Sequence, residues 1–428
     1  QYYGYKGAIS DWLRLQKQTQ FPVALNNFFA WVKDNTMVDT LESRGVMPIA
    51  KRNPSRNTWE FEVSHNSEKT VKIVIDGVFF QHNATTGIAR VWRELLSEWV
   101  ANGFAQNIMV LDRGGTAPKI PGIKYHSVEQ YNYREAQSDR QILEQICQQE
   151  EADLFVSTYY TTPLSTPSVF MAYDMVPEVL GQNLDDPMWQ QKHYGIRHAS
   201  AYMAISEKTA RDLGTFFPHI SPESVTVAPC GVNSNLFPAT PEEISGFKLK
   251  YGINKPYFLL VGQRIGWKGY KNAMLFFRAF SQFEAREHFD IICVGSNLQL
   301  EPELQAYIPR KKVSLLQLND EELRVAYSGA VALIYPSKYE GFGLPLVEAM
   351  ACGCPVITCP NASIPEVAGN AALYVDDKDV QGLLTALGEV QKPEVRQELI
   401  VKGFEQANKF SWSKMATIVS STLQKFLL

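Results

Sequence analysis

The chain has 428 residues, 45% of them hydrophobic, and a formal charge of −4. That length is enough for two or three domains with sizeable cores, and dispersed lysines and arginines give no reason to expect a nucleic-acid partner. No run reaches about eighteen consecutive apolar residues and no signal peptide is evident, so neither a spanning helix nor secretion is expected.

The first seventy residues lack a regular alternation of strands and helices. Residues 21–32 carry apolar side chains at helical spacing and residues 51–57 read as a solvated loop, so 1–70 is expected to be a helical extension packed beside the first sheet. From Val71 onward, short apolar runs alternate with amphipathic stretches, at 71–75, 108–111, 154–156, 169–172, 202–205 and 225–228. A second series lies at 257–261, 290–294, 313–316, 331–335, 355–358 and 372–375. This rhythm predicts an α/β protein with two doubly wound units of parallel strands and helical crossovers. Residues 235–243, with Pro238 and Pro241, read as the connector, which places the boundary near residue 240. The expected parts are therefore 1–70, 71–240, 241–410 and a terminal helix over 411–428. Residue 1 is Gln rather than Met, which suggests a piece of a longer protein.

Ligands of open α/β sheets sit beyond the carboxyl ends of strands. At the end of 257–261 come Gly262, Arg264, Lys268 and Lys271. There Arg264 can grip phosphate oxygens through paired N–H bonds while a lysine acts as a point charge, stabilising a departing phosphate without a metal.

After the run 331–335 stand Glu340, Gly341, Phe342, Gly343, Leu344, Pro345 and Glu348. The glycines free the backbone to bend around a ligand, Pro345 is placed to open a helix, and the N-terminus of that helix favours an anion such as pyrophosphate. Glu340 and Glu348 can then address different ends of one elongated ligand, accepting hydrogen bonds from sugar hydroxyls. The combination suits a nucleotide sugar.

Three other patterns read as structural. Cys352 and Cys354 have one residue between them and no second pair to complete a tetrahedral site, so they are expected to pack a helix end. The six cysteines, at 147, 230, 293, 352, 354 and 359, form no secreted disulfide framework, and a reduced cytoplasmic setting is expected. Asp377 and Asp379 have the spacing of a metal-binding pair but lie between a strand and an amphipathic helix, where Asp379 reads as an N-cap. A nicotinamide enzyme is disfavoured because no G-x-G-x-x-G succeeds the first strand.

The wording EGFGLPLVEAMACGCPVI over 340–357 resembles the signature of the retaining glycosyltransferases of family 4, also called glycosyltransferase group 1, which include sucrose synthase and many lipopolysaccharide transferases. The resemblance runs from about residue 71 to 428. It implies the GT-B fold, two Rossmann-like domains facing a cleft, with the acceptor in the first and the nucleotide sugar mainly in the second. Residues 410–412 resemble the segment that opens a helix crossing back to the first domain.

Carried over position by position, the resemblance implies that Arg264 and Lys271 contact the pyrophosphate, with Lys268 the less fitting alternative to Lys271. Glu340 orients sugar hydroxyls, Gly341, Phe342, Gly343 and Leu344 offer backbone N–H groups, and Glu348 holds the ribose. Gly262 and the backbone near Leu316 belong to the donor side, where the helix after 313–316 is expected to be capped by Asn319 or Asp320. Gly87 resembles the glycine turn that approaches the donor phosphates from the first domain. Asn83 and Thr86 are candidates to face the cleft, and Arg90 and Arg93 are either functional or on a helix surface. Tyr173 stands where the family has a histidine. His82, His193 and His198 are the replacements the chain offers, and Asp174 is either an acceptor contact or a helix cap.

The function implied is hexose transfer with retention from a UDP- or GDP-linked sugar to a hydroxyl acceptor, in polysaccharide, lipopolysaccharide or glycolipid synthesis. No cofactor or metal is expected. The partners are a nucleotide sugar and a saccharide or lipid-linked acceptor, with no nucleic acid, and a cytoplasmic location extends to association with the inner membrane surface. A phosphorylase, a nucleotide-sugar epimerase and a non-catalytic sugar-binding subunit are the alternatives.

Overall fold

The structure is a computed structural model that describes residues 47–53, 58–64, 72–84, 86–295, 298–309 and 312–425. Two compact units divide the chain at Thr70 and Val71.

In the first unit, β1 (Met47–Asn53) pairs antiparallel with β2 (Thr58–Ser64), from Asn53 opposite Thr58 to Met47 opposite Ser64. This corrects the loop expected over 51–57, because Lys51, Arg52 and Asn53 are strand residues. The signal was present in β2, where Trp59, Phe61 and Val63 alternate with polar neighbours at the strand period of two. The helical pattern at 21–32 lies outside the described residues.

The second unit holds two parallel sheets. The first contains β3 (Ile73–Asp76), β4 (Ile108–Arg113), β5 (Lys124–Val128), β6 (Leu154–Ser157), β7 (Ser168–Ala172), β8 (Ala201–Ala204) and β9 (Thr226–Val227). Its order is β5-β4-β3-β6-β7-β8-β9, with every pairing parallel. The second contains β10 (Tyr257–Val261), β11 (Asp290–Val294), β12 (Val313–Leu316), β13 (Ala332–Tyr335), β14 (Val356–Thr358) and β15 (Ala372–Tyr374), in the order β12-β11-β10-β13-β14-β15. Strands such as β3, β6 and β13 are buried at every residue, as expected when helices cover both faces of a sheet.

Strand order reverses between β3 and β6 in one sheet and between β10 and β13 in the other. Such reversals leave a crevice at the carboxyl edge of a sheet. At the edge of the first sheet, a buried Arg113 donates to both oxygens of Asp76, at 2.9 and 2.7 Å, and reaches Asp139 at 2.5 Å. This cluster ties β3 and β4 to the Ala136–Gln149 helix.

The helix Trp412–Lys425 returns to the first sheet's side. The Trp99 indole on the Gly87–Ala101 helix donates to the Ala416 carbonyl at 3.1 Å, Val232 bridges to Ser411, and the Trp412 indole bonds Asn233. A Cβ on Gly231 would lie 2.1 Å from the Trp412 nitrogen, so the crossing requires glycine there. Among the described residues, no helix is long and apolar enough to cross a membrane.

Candidate functional site

The turn after β13 lies in a cleft where residues from the carboxyl ends of both sheets meet. Gly343, with φ 100°, is the N-cap of the Leu344–Ala351 helix, and Pro345 occupies its first turn. The Ser363 hydroxyl donates to the carbonyls of Glu340 (2.8 Å) and Phe342 (3.1 Å), and Thr209 donates to that of Gly341 (3.3 Å). In a planar trans peptide the N–H points opposite to its C=O. Tying off these carbonyls therefore turns the N–H groups of Gly341, Phe342 and Gly343 the other way, beside a helix start where Pro345 carries no N–H and Leu346 donates to the Gly343 carbonyl at 2.9 Å. The result is a backbone surface suited to an anion.

Side chains then set two charge centres. Lys271 Nζ donates to both oxygens of Glu340, at 2.7 and 2.9 Å, with the rings of Tyr270 and Tyr335 centred 5.0 and 5.7 Å away. Burial is the largest influence and would lower the Lys271 pKa, but the charge and hydrogen bond of Glu340 together with Tyr335 and Tyr270 outweigh it and hold the lysine well above its ordinary value. The lysine is therefore an ammonium at neutral pH. Gly262, at φ 93° after β10, also lines the cleft. Lys268 reaches instead to the carbonyls of Leu180 and Gly181, at 3.3 and 3.2 Å.

Arg264 is placed differently from the sequence expectation. It is 2% exposed, its Nε donates to Glu301 at 2.6 Å and a terminal nitrogen donates to the Gln299 carbonyl at 2.7 Å. It is not among the cleft-lining residues. A buried guanidinium requires charge and hydrogen-bond partners, and these lie on the segment after β11. The Leu316 carbonyl accepts from Gly295 at 3.3 Å and likewise does not line the cleft.

Glu348, 5% exposed on the Leu344–Ala351 helix, forms the second charge centre beside the cleft, and like Arg264 and Leu316 it is not among the cleft-lining residues. Its Oε1 pairs with Arg90 from the Gly87–Ala101 helix, and its Oε2 accepts from the Tyr327 hydroxyl at 2.9 Å. Arg90 also binds Asp320 at 2.8 Å. Arg90 is thus not a free surface charge, whereas Arg93 donates locally to the Ala84 carbonyl.

From the first domain, Gly87 and Asp174 line the cleft. A Cβ on Gly87 would meet Leu344 at 3.4 Å. Asp174 Oδ1 accepts from the Val176 N–H at 2.9 Å, so the carboxylate caps a turn and faces the cleft together. Tyr173 is 3% exposed, donates to the Thr158 carbonyl at 3.1 Å and bonds Trp92. Its carbonyl is the closer presence, since a Cβ on Gly341 would fall 1.8 Å from that oxygen. None of the three histidines lines the cleft. His82 pairs with Tyr133 at 2.9 Å, His193 with Glu178 at 2.9 Å and His198 with the Thr166 carbonyl at 3.1 Å.

Outside the cleft, Asn319 caps the Asp320–Ser328 helix in a capping box with Glu322, and Asp379 caps Val380–Glu389 through the Gly382 N–H. Cys352 and Cys354 are buried in the core.

Residues 255–392 match the family model described as Glycosyl transferases group 1. The chain resembles the group 1 glycosyltransferases. O-antigen chain mannosyltransferase B of Escherichia coli is 28% identical over 237 residues, covering 54% of this chain and 62% of that protein. The MMP alpha-(1->4)-mannosyltransferase of Mycolicibacterium hassiacum is 27% identical over 245 residues, covering 54% and 55%. The chain thus spans less than two thirds of the length of these relatives. Sucrose-phosphate synthase from Thermosynechococcus elongatus superimposes with a TM-score of 0.67 at 17% identity, covering 83% of this chain and 98% of that one. HepE from Anabaena, in complex with UDP and glucose, gives 0.65 at 16% identity, covering 83% and 99%. At such identities the likeness is one of fold, and that fold is GT-B.

The sequence alone did not point to Tyr327, Ser363 or Thr209. Ser363 and Thr209 act on the turn from 23 and 132 positions away and carry no local signature. Tyr327, 21 positions before Glu348, lies near the end of its helix with its ring facing inward, a position legible only as core.

Proposed function

We propose that this chain transfers a hexose from a nucleoside-diphosphate sugar to a hydroxyl acceptor with retention of anomeric configuration. The observation that carries the reading is the Lys271–Glu340 pair beside a helix-opening glycine turn, in a cleft built from the carboxyl ends of two parallel sheets. The family match over 255–392, the relatives named as mannosyltransferases and a GT-B neighbour solved with UDP and glucose support it.

The turn N–H groups and Lys271 receive the diphosphate, Glu340 accepts from sugar hydroxyls, and Glu348 accepts from the ribose. Arg264 reaches the phosphate only by exchanging Glu301 for it. Asp174 faces the acceptor. In a front-face reaction, the bond from the anomeric carbon to the phosphate oxygen breaks as the acceptor oxygen bonds to the same face. The acceptor proton passes to the leaving phosphate, so no protein nucleophile is required. The acceptor belongs to polysaccharide, lipopolysaccharide or glycolipid synthesis, with the protein working in the cytoplasm at the membrane surface.

A screen of UDP-, GDP- and ADP-hexoses, mannose included, by thermal shift and by nucleotide release with and without candidate acceptors tests the reading. One donor should stabilise the protein. Lys271→Ala should cut its turnover by about 10²–10³-fold, and Glu340→Ala should abolish acceptor-dependent release. Turnover unchanged by Glu340→Ala would remove the assigned site.

A further inference from the structure

Arg90 reaches Glu348 across 258 positions of sequence and from the other side of the cleft. A carboxylate this buried needs compensation for its charge, and Arg90 supplies it on Oε1 while Tyr327 donates to Oε2. The arginine is itself held by Asp320 at the start of the helix that carries Tyr327. Two carboxylates from two helices of the second domain, Asp320 and Glu348, therefore share one cation from the first.

An ionised carboxylate has about four acceptor sites, two on each oxygen. Arg90 and Tyr327 each use one, on different oxygens, which leaves one acceptor on Oε1 and one on Oε2. Two adjacent acceptors are what a vicinal diol needs, and a planar guanidinium fixes the carboxylate orientation more rigidly than a lysine ammonium could.

Resting on the reading that Glu348 faces the ribose, we propose that Arg90 is a positioning residue for the donor: it sets the Glu348 carboxylate so that both ribose hydroxyls are read, and it makes this reading depend on closure of the two domains. Selectivity for ribonucleotides over 2′-deoxyribonucleotides is then a property of the closed cleft.

Calorimetry with UDP, GDP and their 2′-deoxy counterparts tests the proposal on wild type, Arg90→Gln, Arg90→Lys and Glu348→Gln, with thermal melts to confirm folding. Wild type should bind the preferred ribonucleotide roughly tenfold or more above its deoxy form. Arg90→Gln should bring that ratio close to the Glu348→Gln value, with Arg90→Lys in between. A ratio unchanged in folded Arg90→Gln overturns the proposal while leaving the function intact. A uniform loss of affinity with the ratio preserved also overturns it, because that marks a merely structural arginine. Failure of wild type to bind either nucleotide defeats the functional reading, and this inference with it.

Discussion

Gly341 shows how far one residue constrains the site. A methyl group there would fall 1.8 Å from the Tyr173 carbonyl oxygen, a backbone atom that cannot rotate aside. Gly341→Ala must therefore move the turn, and overpacking of this kind costs about 1–3 kcal/mol. The prediction is a lower urea midpoint together with a weaker nucleotide dissociation constant by calorimetry. Loss of stability without loss of binding would show that the turn does not hold the donor. The sequence marked this glycine as a bend, but the requirement itself comes from a strand end in the other sheet. The same holds for Lys271, whose candidacy was legible next to Lys268. Which lysine meets Glu340 depends on a loop in which Lys268 sits at φ 47° and points towards Leu180 and Gly181.

Among the elements, strands with continuous apolar runs were the legible ones, because burial on both faces leaves an unbroken signature. β5 was missed. Lys124–Val128 is an edge strand, and its lysine, histidine and serine reflect the exposure of that position. The connection from β6 to β7 shows a second device hidden from local pattern. Glu144, on the Ala136–Gln149 helix, accepts from the N–H groups of Leu164, Ser165 and Thr166, at 3.1, 2.8 and 3.0 Å. Burial would raise its pKa, but the Ser165 and Thr166 hydrogen bonds outweigh this and bring it down to about 2. An unfolded glutamate titrates near about 4.3. Its stabilisation is therefore fully present above that pH and is lost as pH falls towards 2. Glu144→Ala, which strands those amides, should cost on the order of 2–3 kcal/mol at neutral pH. The difference from wild type should shrink in denaturation curves taken near pH 3; a constant difference would exclude the charge as the cause.

For the molecule as a whole, the returning helix is the decisive join. Trp412 is 4% exposed, bonds Asn233 and packs where Gly231 leaves room for its backbone. Trp412→Ala should cost about 3–5 kcal/mol. Because this anchor joins the end of the chain to the first sheet's side, it should also weaken nucleotide binding. Destabilisation with unchanged affinity would separate the helix from the cleft.

The apolar strands of the two parallel sheets, the glycine turn and the residue types that can hold a nucleotide sugar were carried by the sequence, since each is local: an apolar run, a proline at a helix start, two carboxylates eight positions apart. Tertiary structure decided which of these groups meet. Lys271 and Glu340 are 69 positions apart, Arg90 and Glu348 are 258 apart, and Arg264 meets Glu301 on the segment after β11. Buried charges settle on whatever partner the packed chain brings within reach, and no local pattern records that distance.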